Sequence, residues 1–195
     1  MPKAMKYSKE EVVQVAYEIV KEEGIEGINA RKIAKKLNAS VHPIFNHFEN
    51  IEELKKVVLE KIIETYNGYM TSGKGKEKYY KEMGLSYIKF AKDFPQFFKI
   101  MFMNPTKLDA QNFIMSNSVG DEVIRAGQQL TGLPYEEQKK FHVKVWIFTH
   151  GIACLVATKT IQLSNQEIEE MLENTVRQMA IGYKFEKENK KKWVM

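Results

Sequence analysis

The sequence predicts an all-α protein of about nine helices, in which a three-helix N-terminal domain precedes a larger helical domain. Apolar residues recur three and four positions apart along most of the chain, which is the spacing of one helix face. Only 5 prolines and 11 glycines interrupt its 195 residues. Breaks are therefore few, and those that do occur separate long periodic segments.

The N-terminal helices are marked by their capping residues. Ser8 is a predicted N-cap, followed by glutamates in the first turn, and Gly24 ends the first helix. Asn29 precedes a short second helix, and Asn38 follows it as a residue that tolerates positive φ. Ser40 is the predicted cap of a third short helix. The three helices share an apolar side and predict one small core.

The longer helices begin after this group. Asn50 caps a predicted fourth helix of residues 50–72, and the glycines at 73 and 75 mark its end. Five further helices are predicted over residues 77–93, from 95 to before 105, 109–131, 134–162 and from the capping box of Ser164 and Glu167 onward. Residues 184–195 are predicted to form a lysine-rich tail. We place the domain boundary between residues 50 and 51, with the fourth helix connecting 1–50 to 51–195.

The second and third helices have the charge and polarity of a DNA-binding surface. Residues 27–48 contain four basic side chains and no acidic one. Ser40, His42, Asn46 and His47 add groups that can hydrogen-bond to phosphates or base edges. Two short helices joined by a tight turn predict a helix-turn-helix, with the third helix offered to the major groove. The alternative, a plain three-helix corner with a solvated basic face, remains open on periodicity alone.

Two sets of residues, one in each predicted domain, resemble the TetR (tetracycline-repressor-like) family. Residues 28–34 and 40–48 are similar to its helix-turn-helix signature, and residues 52–54 extend the match into the fourth helix. Residues 87–91, with Pro95, Phe98 and 101–102, resemble a ligand-domain pattern of the family. Trp146, His150 and Gly151 match its Trp-x-x-x-His-Gly element.

The resemblance implies a set of residues that contact DNA. They are Asn29, Arg31, Lys32, Ser40, Val41, His42, Pro43, Phe45, Asn46 and His47. Three positions depart from the family pattern: Asn38 replaces the usual glycine of the turn, Phe45 replaces a phosphate-contacting tyrosine, and Ile51 replaces a lysine. Loss of two phosphate contacts weakens binding without changing which bases are read.

The resemblance also implies a small-molecule site in the second domain. Its candidate residues are Tyr87, Phe90, Phe98, Met101, Phe102, Phe113, Trp146 and His150. Aromatic and methionine side chains suit an apolar, adaptable cavity, although the same spacing describes an ordinary core. We expect a small apolar or amphipathic effector.

The sequence lacks the signals that are typical of metalloproteins, enzymes and membrane proteins. Cys154 is the only cysteine, and His150 lies one turn before it without further ligands nearby, so we expect a packed histidine rather than a metal site. His142 is expected at the surface or its boundary. The sequence contains no catalytic motif or phosphate loop, so we predict neither an enzyme nor a cofactor. No apolar run is long enough for a membrane span, and we expect a cytoplasmic protein.

The last two helices are long and amphipathic. In the family the resemblance points to, such a pair forms a four-helix bundle with a second subunit, and dimerisation would pair two recognition helices across a palindromic operator. Closure of a monomer's core explains the same periodicity. The predicted function is a ligand-responsive DNA-binding repressor. A helical dimeric sensor with weak or lost DNA binding is the alternative.

Overall fold

The computed structural model describes residues 7–73, 75, 78–103 and 118–189. Within these residues all regular structure is helical, in nine α-helices, which confirms the predicted fold class. They are α1 Lys9–Glu23, α2 Ala30–Lys36, α3 His42–Phe45, α4 Ile51–Thr71, α5 Tyr79–Asp93, α6 Pro95–Phe98, α7 Ser118–Thr131, α8 Tyr135–Ala157 and α9 Asn165–Asn189. A 3₁₀ turn, Ile25–Gly27, precedes α2, and a π turn, Lys99–Met103, follows α6.

Most predicted helix starts coincide with observed caps. Ser8 and Glu11 form a reciprocal capping box on α1, in which the Glu11 N–H donates to Ser8 Oγ at 3.1 Å. The side-chain oxygen of Asn50 accepts from the Glu53 N–H at 2.9 Å at the start of α4. Ser164 and Glu167 form the same box before α9. Local capping chemistry therefore sets these boundaries.

Three predicted boundaries are corrected by the structure. Val41, rather than Ser40, is the N-cap of α3, although Ser40 Oγ still lies 3.4 Å from the His42 N–H. Helix α8 ends at Ala157 rather than near 162, because Lys159 turns the chain with a φ of +58°. Helix α9 continues to Asn189, into the segment predicted as a lysine-rich tail.

The chain forms two compact units. The first comprises Met1–Tyr69 with Asp93–Leu108, and the second comprises Met70–Lys92 with Asp109–Met195. This division differs from the predicted boundary after residue 50, since most of α4 clusters with the N-terminal helices. Helix α4 is shared, because its last residues belong to the second unit.

The first unit has a core built by α1 to α4 and α6. Its fully buried side chains include Val12, Ala16, Ile19, Val20, Ile33, Ile44, Leu54, Val58, Ile62, Phe97 and Phe98. Tyr17 links three of these helices, since its hydroxyl lies 2.9 Å from Thr65 Oγ1 on α4 and its ring packs on Phe97, with centroids 4.8 Å apart. The segment after α5 thus supports the same core as the helix-turn-helix.

The second unit is built from α5, α7, α8 and α9. Tyr79, Tyr80, Val123, Leu133, Phe141 and Val145 form its main buried cluster. Lys81 on α5 forms ion pairs with both Glu169 and Glu173 on α9. Ile168 and Leu172 bury the adjoining face of α9.

Candidate functional site

Helices α2 and α3 form the helix-turn-helix that the sequence predicts. The turn passes through Asn38, whose φ is +50°, so asparagine supplies the left-handed conformation for which glycine is the usual residue. Ile33 on α2 and Ile44 on α3 are fully buried, and Phe48 is nearly so. The apolar sides of both helices therefore face the core, and their polar sides face outward.

Most of the predicted DNA-contacting side chains lie on that outer surface. Exposed members are Asn29, Arg31, Ser40, Val41, His42, Phe45 and Asn46, whereas Lys32, Pro43 and His47 are half-buried. Asn29 also has a structural role, because its Oδ1 accepts from the Lys32 N–H at 2.9 Å and caps α2.

His47 makes a contact within the protein that the sequence did not indicate. Its Nε2 lies 2.9 Å from the carbonyl oxygen of Tyr7, which can accept a hydrogen bond from the ring. The Tyr7 hydroxyl donates to the carbonyl of Leu37 at 2.6 Å. Tyr7 therefore joins the turn to the residues after α3. The only sequence signal for these two hydrogen bonds was a single tyrosine immediately before the N-cap of α1.

The positive charge of α2 is partly neutralised. Lys32 forms an ion pair with Glu23, and Lys36 lies 3.3 Å from a carboxylate oxygen of Glu22, both at the end of α1. Among the ion pairs of the described residues, Arg31 and Lys35 have no part. The sequence count of four basic residues thus overstates the uncompensated charge of this surface.

The predicted effector residues are divided between the two units. Phe98, Met101 and Phe102 belong to the first unit, where Phe102 packs on Tyr66 with centroids 5.4 Å apart. Tyr87, Phe90, Trp146 and His150 belong to the second unit. Phe113 lies outside the described residues.

His150 is the polar centre of the second group. Its Nδ1 lies 2.9 Å from the Tyr87 hydroxyl, and its Nε2 lies 3.3 Å from Cys154 Sγ. Trp146 packs on its ring at 5.4 Å between centroids. Partial burial lowers the pKa of His150, which favours the neutral imidazole. Within the described residues, no three His, Cys, Asp or Glu side chains are placed to hold a metal ion.

A second, deeper polar cluster was not predicted. His142, expected at the surface or its boundary, is only 6% exposed, because the first turns of α8 face α5 and α7. Its Nδ1 lies 3.0 Å from the Tyr80 hydroxyl, and burial lowers its pKa to about 4. One turn earlier, Gln138 Oε1 accepts from the Thr131 hydroxyl at 2.6 Å.

Two buried nitrogen atoms of this cluster make no hydrogen bond to any described residue. Within the described residues, His142 Nε2 and Gln138 Nε2 are buried and have no hydrogen-bond partner. Buried polar nitrogens without partners are costly and are commonly met by water or a ligand. The only sequence signal was the i, i+4 spacing of these two polar residues, which places them on one face of the helix.

The architecture is similar to that of several solved structures. No protein-family model matches the chain, and no curated protein matches it by sequence. A transcriptional regulator of the TetR family from Vibrio parahaemolyticus is 15% identical, with a TM-score of 0.63 over 87% of this chain and 96% of that one.

Two further structures extend the comparison. A transcriptional regulator from Rhodococcus sp. Rha1 is 14% identical, with a TM-score of 0.58 over 90% of this chain and 97% of that one. A single-residue variant of TetR from Acinetobacter baumannii AYE, solved in complex with minocycline, is 16% identical, with a TM-score of 0.52 over 92% and 97% of the two chains. The chain thus has the fold of TetR-family transcriptional regulators.

Proposed function

We propose that this protein is a transcriptional regulator that binds a palindromic DNA operator as a homodimer and is released from it by a small effector. The observation that carries the proposal is the outer surface of α2 and α3, where Arg31, Lys35, His42 and Asn46 are all exposed. Basic side chains bind phosphates, and the polar groups of a short helix can reach base edges in the major groove. Residues 1–50 are the proposed DNA-binding segment.

Dimerisation is the second part of the proposal. Helices α8 and α9 leave large apolar side chains in solvent, at Ile147, Leu155, Met171, Ile181 and Phe185. On α8, Ile147 and Leu155 are eight residues apart and share a face; on α9, spacings of ten and four residues keep the three side chains within one broad stripe. Such stripes are typical of helices that pack against a second subunit.

The effector is the third part. Tyr87, Trp146 and His150 bring an aromatic surface together with a neutral imidazole in the second unit, which suits an amphipathic ligand. The Acinetobacter protein, solved in complex with minocycline, supplies one compound with which to begin. A bound effector would shift the population of dimers toward a spacing of recognition helices that no longer matches successive grooves.

The test of DNA binding is a fluorescence-anisotropy titration against duplexes from the promoter beside the gene. We expect specific binding whose affinity falls steeply with salt, because phosphate contacts release counterions. Arg31→Gln with Lys35→Gln should weaken binding to every duplex. Binding that is absent at low salt, or insensitive to salt, would favour the alternative of a helical sensor that has lost DNA binding, which the Phe45 and Ile51 departures motivate.

The test of regulation uses compounds that raise the melting temperature of the protein. An amphipathic panel including minocycline supplies the candidates. A stabilising compound should also lower DNA affinity in the wild type, and Trp146→Ala should reduce both effects. Stabilisation without any change in DNA affinity would argue against effector-controlled release.

A further inference from the structure

Helix α3 presents an unusual apolar pair to solvent. Phe45 is 47% exposed and Val41 is 37% exposed, whereas Ile44 on the opposite side is fully buried. Val41 and Phe45 are four residues apart, and both flanking residues of the helix have right-handed helical geometry, so the two side chains share one face. A half-exposed phenyl ring contributes little hydrophobic stabilisation to the free protein, and it has no polar group that could hydrogen-bond to water.

The charge of the helix-turn-helix that carries this pair favours a polyanion over a protein as its partner. Residues 27–48 contain no acidic side chain, and the exposed Arg31 and Lys35 take part in no ion pair among those of the described residues. Two side chains are also far too small an area for a stable protein interface. Charge complementarity therefore identifies the phosphate backbone of a duplex as the occupant.

Inside a duplex groove, one apolar group is available to meet Val41 and Phe45. The major-groove edge of each base pair presents hydrogen-bonding atoms, except that thymine also presents its C5 methyl group. Phe45 has no hydroxyl with which to bind a phosphate, so its ring contributes by apolar contact. His42 and Asn46, each one residue further along the helix, form the adjacent polar stripe that can hydrogen-bond to neighbouring bases.

We propose that Val41 and Phe45 read thymine methyl groups, so that the operator half-site has A·T pairs where α3 enters the groove. This inference rests on the proposed function, and it adds which bases the helix selects. Discrimination at these positions comes from a methyl group rather than from hydrogen bonds.

The experiment uses the full chain and two forms of one duplex. Duplexes enriched from a random pool by the protein are sequenced, and the enriched thymines are then replaced singly by uracil, which removes only the methyl group. We expect each contacted thymine to lose about fourfold in affinity on this replacement, the effect of one buried methyl-sized group. Thymines outside the contact should show no change.

Variants of the exposed pair assign the contacts. Phe45→Ala should abolish the difference between thymine and uracil at one position, and Val41→Ala should reduce it at another. Both side chains are exposed, so melting temperatures should stay close to the wild-type value. Lys35→Gln is the matched control, because it should weaken the thymine and uracil duplexes by the same factor.

The outcomes separate the two levels of the proposal. Tight, salt-dependent binding with equal affinity for thymine and uracil duplexes would overturn the methyl contacts and leave the regulator intact. A difference between thymine and uracil that persists in the Phe45→Ala, Val41→Ala double variant would also overturn them. Failure to bind any duplex at low salt would reject the proposed function, and the methyl contacts with it.

Discussion

His142 shows how a single polar residue can shape the second unit. Its ring is buried against Tyr80, and the same helix face carries the fully buried Gln138. Burial disfavours the imidazolium, so the pKa falls to about 4. His142 therefore binds a proton less readily in the folded protein than in the unfolded chain, where its pKa is the ordinary value of about 6.5.

We predict that His142 makes the protein less stable in mild acid. Because the folded pKa is below the unfolded one, stability is full above about pH 6.5 and falls as the pH drops toward 4, by up to about 3 kcal/mol. Denaturant unfolding at pH 7.5, 6 and 5 measures this loss. His142→Gln should flatten the profile, and an unchanged slope in that variant would contradict the assignment.

Gly127 leaves the space that the side chains of Gln138 and Tyr80 occupy. A Cβ atom at this position would overlap Gln138 Nε2 and lie 2.8 Å from Tyr80 Cε2. We predict that Gly127→Ala destabilises the protein by about 1–3 kcal/mol, the usual result of overpacking a core. Gly68→Ala is the control, because Gly68 has open space around it and alanine favours a helix by up to about 1 kcal/mol. Equal midpoints for the two variants in urea would refute the close contact.

At the scale of elements, the end of α1 tunes the charge of α2. Glu22 and Glu23 hold Lys36 and Lys32, so half of the basic residues of α2 are compensated in the free protein. Surface pairs of this kind contribute little stability, and their main effect is to lower the positive electrostatic potential of the proposed DNA-binding surface.

We predict that Glu23→Gln strengthens DNA binding. Removing its carboxylate frees Lys32 to contact phosphate, and the dependence of log affinity on log salt should steepen by about 1. Glu136→Gln, an exposed glutamate at the start of α8, gives the same change in net charge and serves as the control. Anisotropy titrations between 50 and 200 mM salt, roughly the range where such contacts are resolved, measure the slope. Equal slopes for both variants would show that Glu23 does not restrain Lys32.

At the scale of the whole molecule, the proposed dimer depends on the exposed stripes of α8 and α9. In the proposed complex each subunit would present one short helix to its half-site, so a single subunit would bind weakly and two would be needed for an operator. Neither α8 nor any other helix among the described residues is long and apolar enough to cross a membrane. A second copy of the chain is the proposed cover for these stripes.

We predict that Ile147→Glu produces monomers that lose specific DNA binding. Ile147 is 59% exposed, so a glutamate there is tolerated by the subunit but would be buried without a partner in a dimer. Leu130→Glu on α7 is the control, at 66% exposure. Light scattering after size exclusion gives the mass. If Ile147→Glu remained a dimer, the interface would have to lie on a surface that does not include Ile147.

Much of this fold is encoded locally and could be predicted from the sequence. Ser8, Asn50 and Ser164 mark helix starts because an N-cap bonds to a backbone N–H three residues away. The helix-turn-helix was predicted from two short segments with helical spacing of apolar residues, joined through Asn38, a residue suited to positive φ. Its role in DNA binding, the effector residues and the dimer remain predictions.

Tertiary structure alone decided which polar residues lie inside and which charges are compensated. His142 meets Tyr80 across 62 positions of sequence, and Lys32 meets Glu23 from a different helix. Helical periodicity tells which residues share a face but does not tell what packs against that face. Burial, pKa and net surface charge depend on that second piece of information, so they emerge only when the helices are assembled.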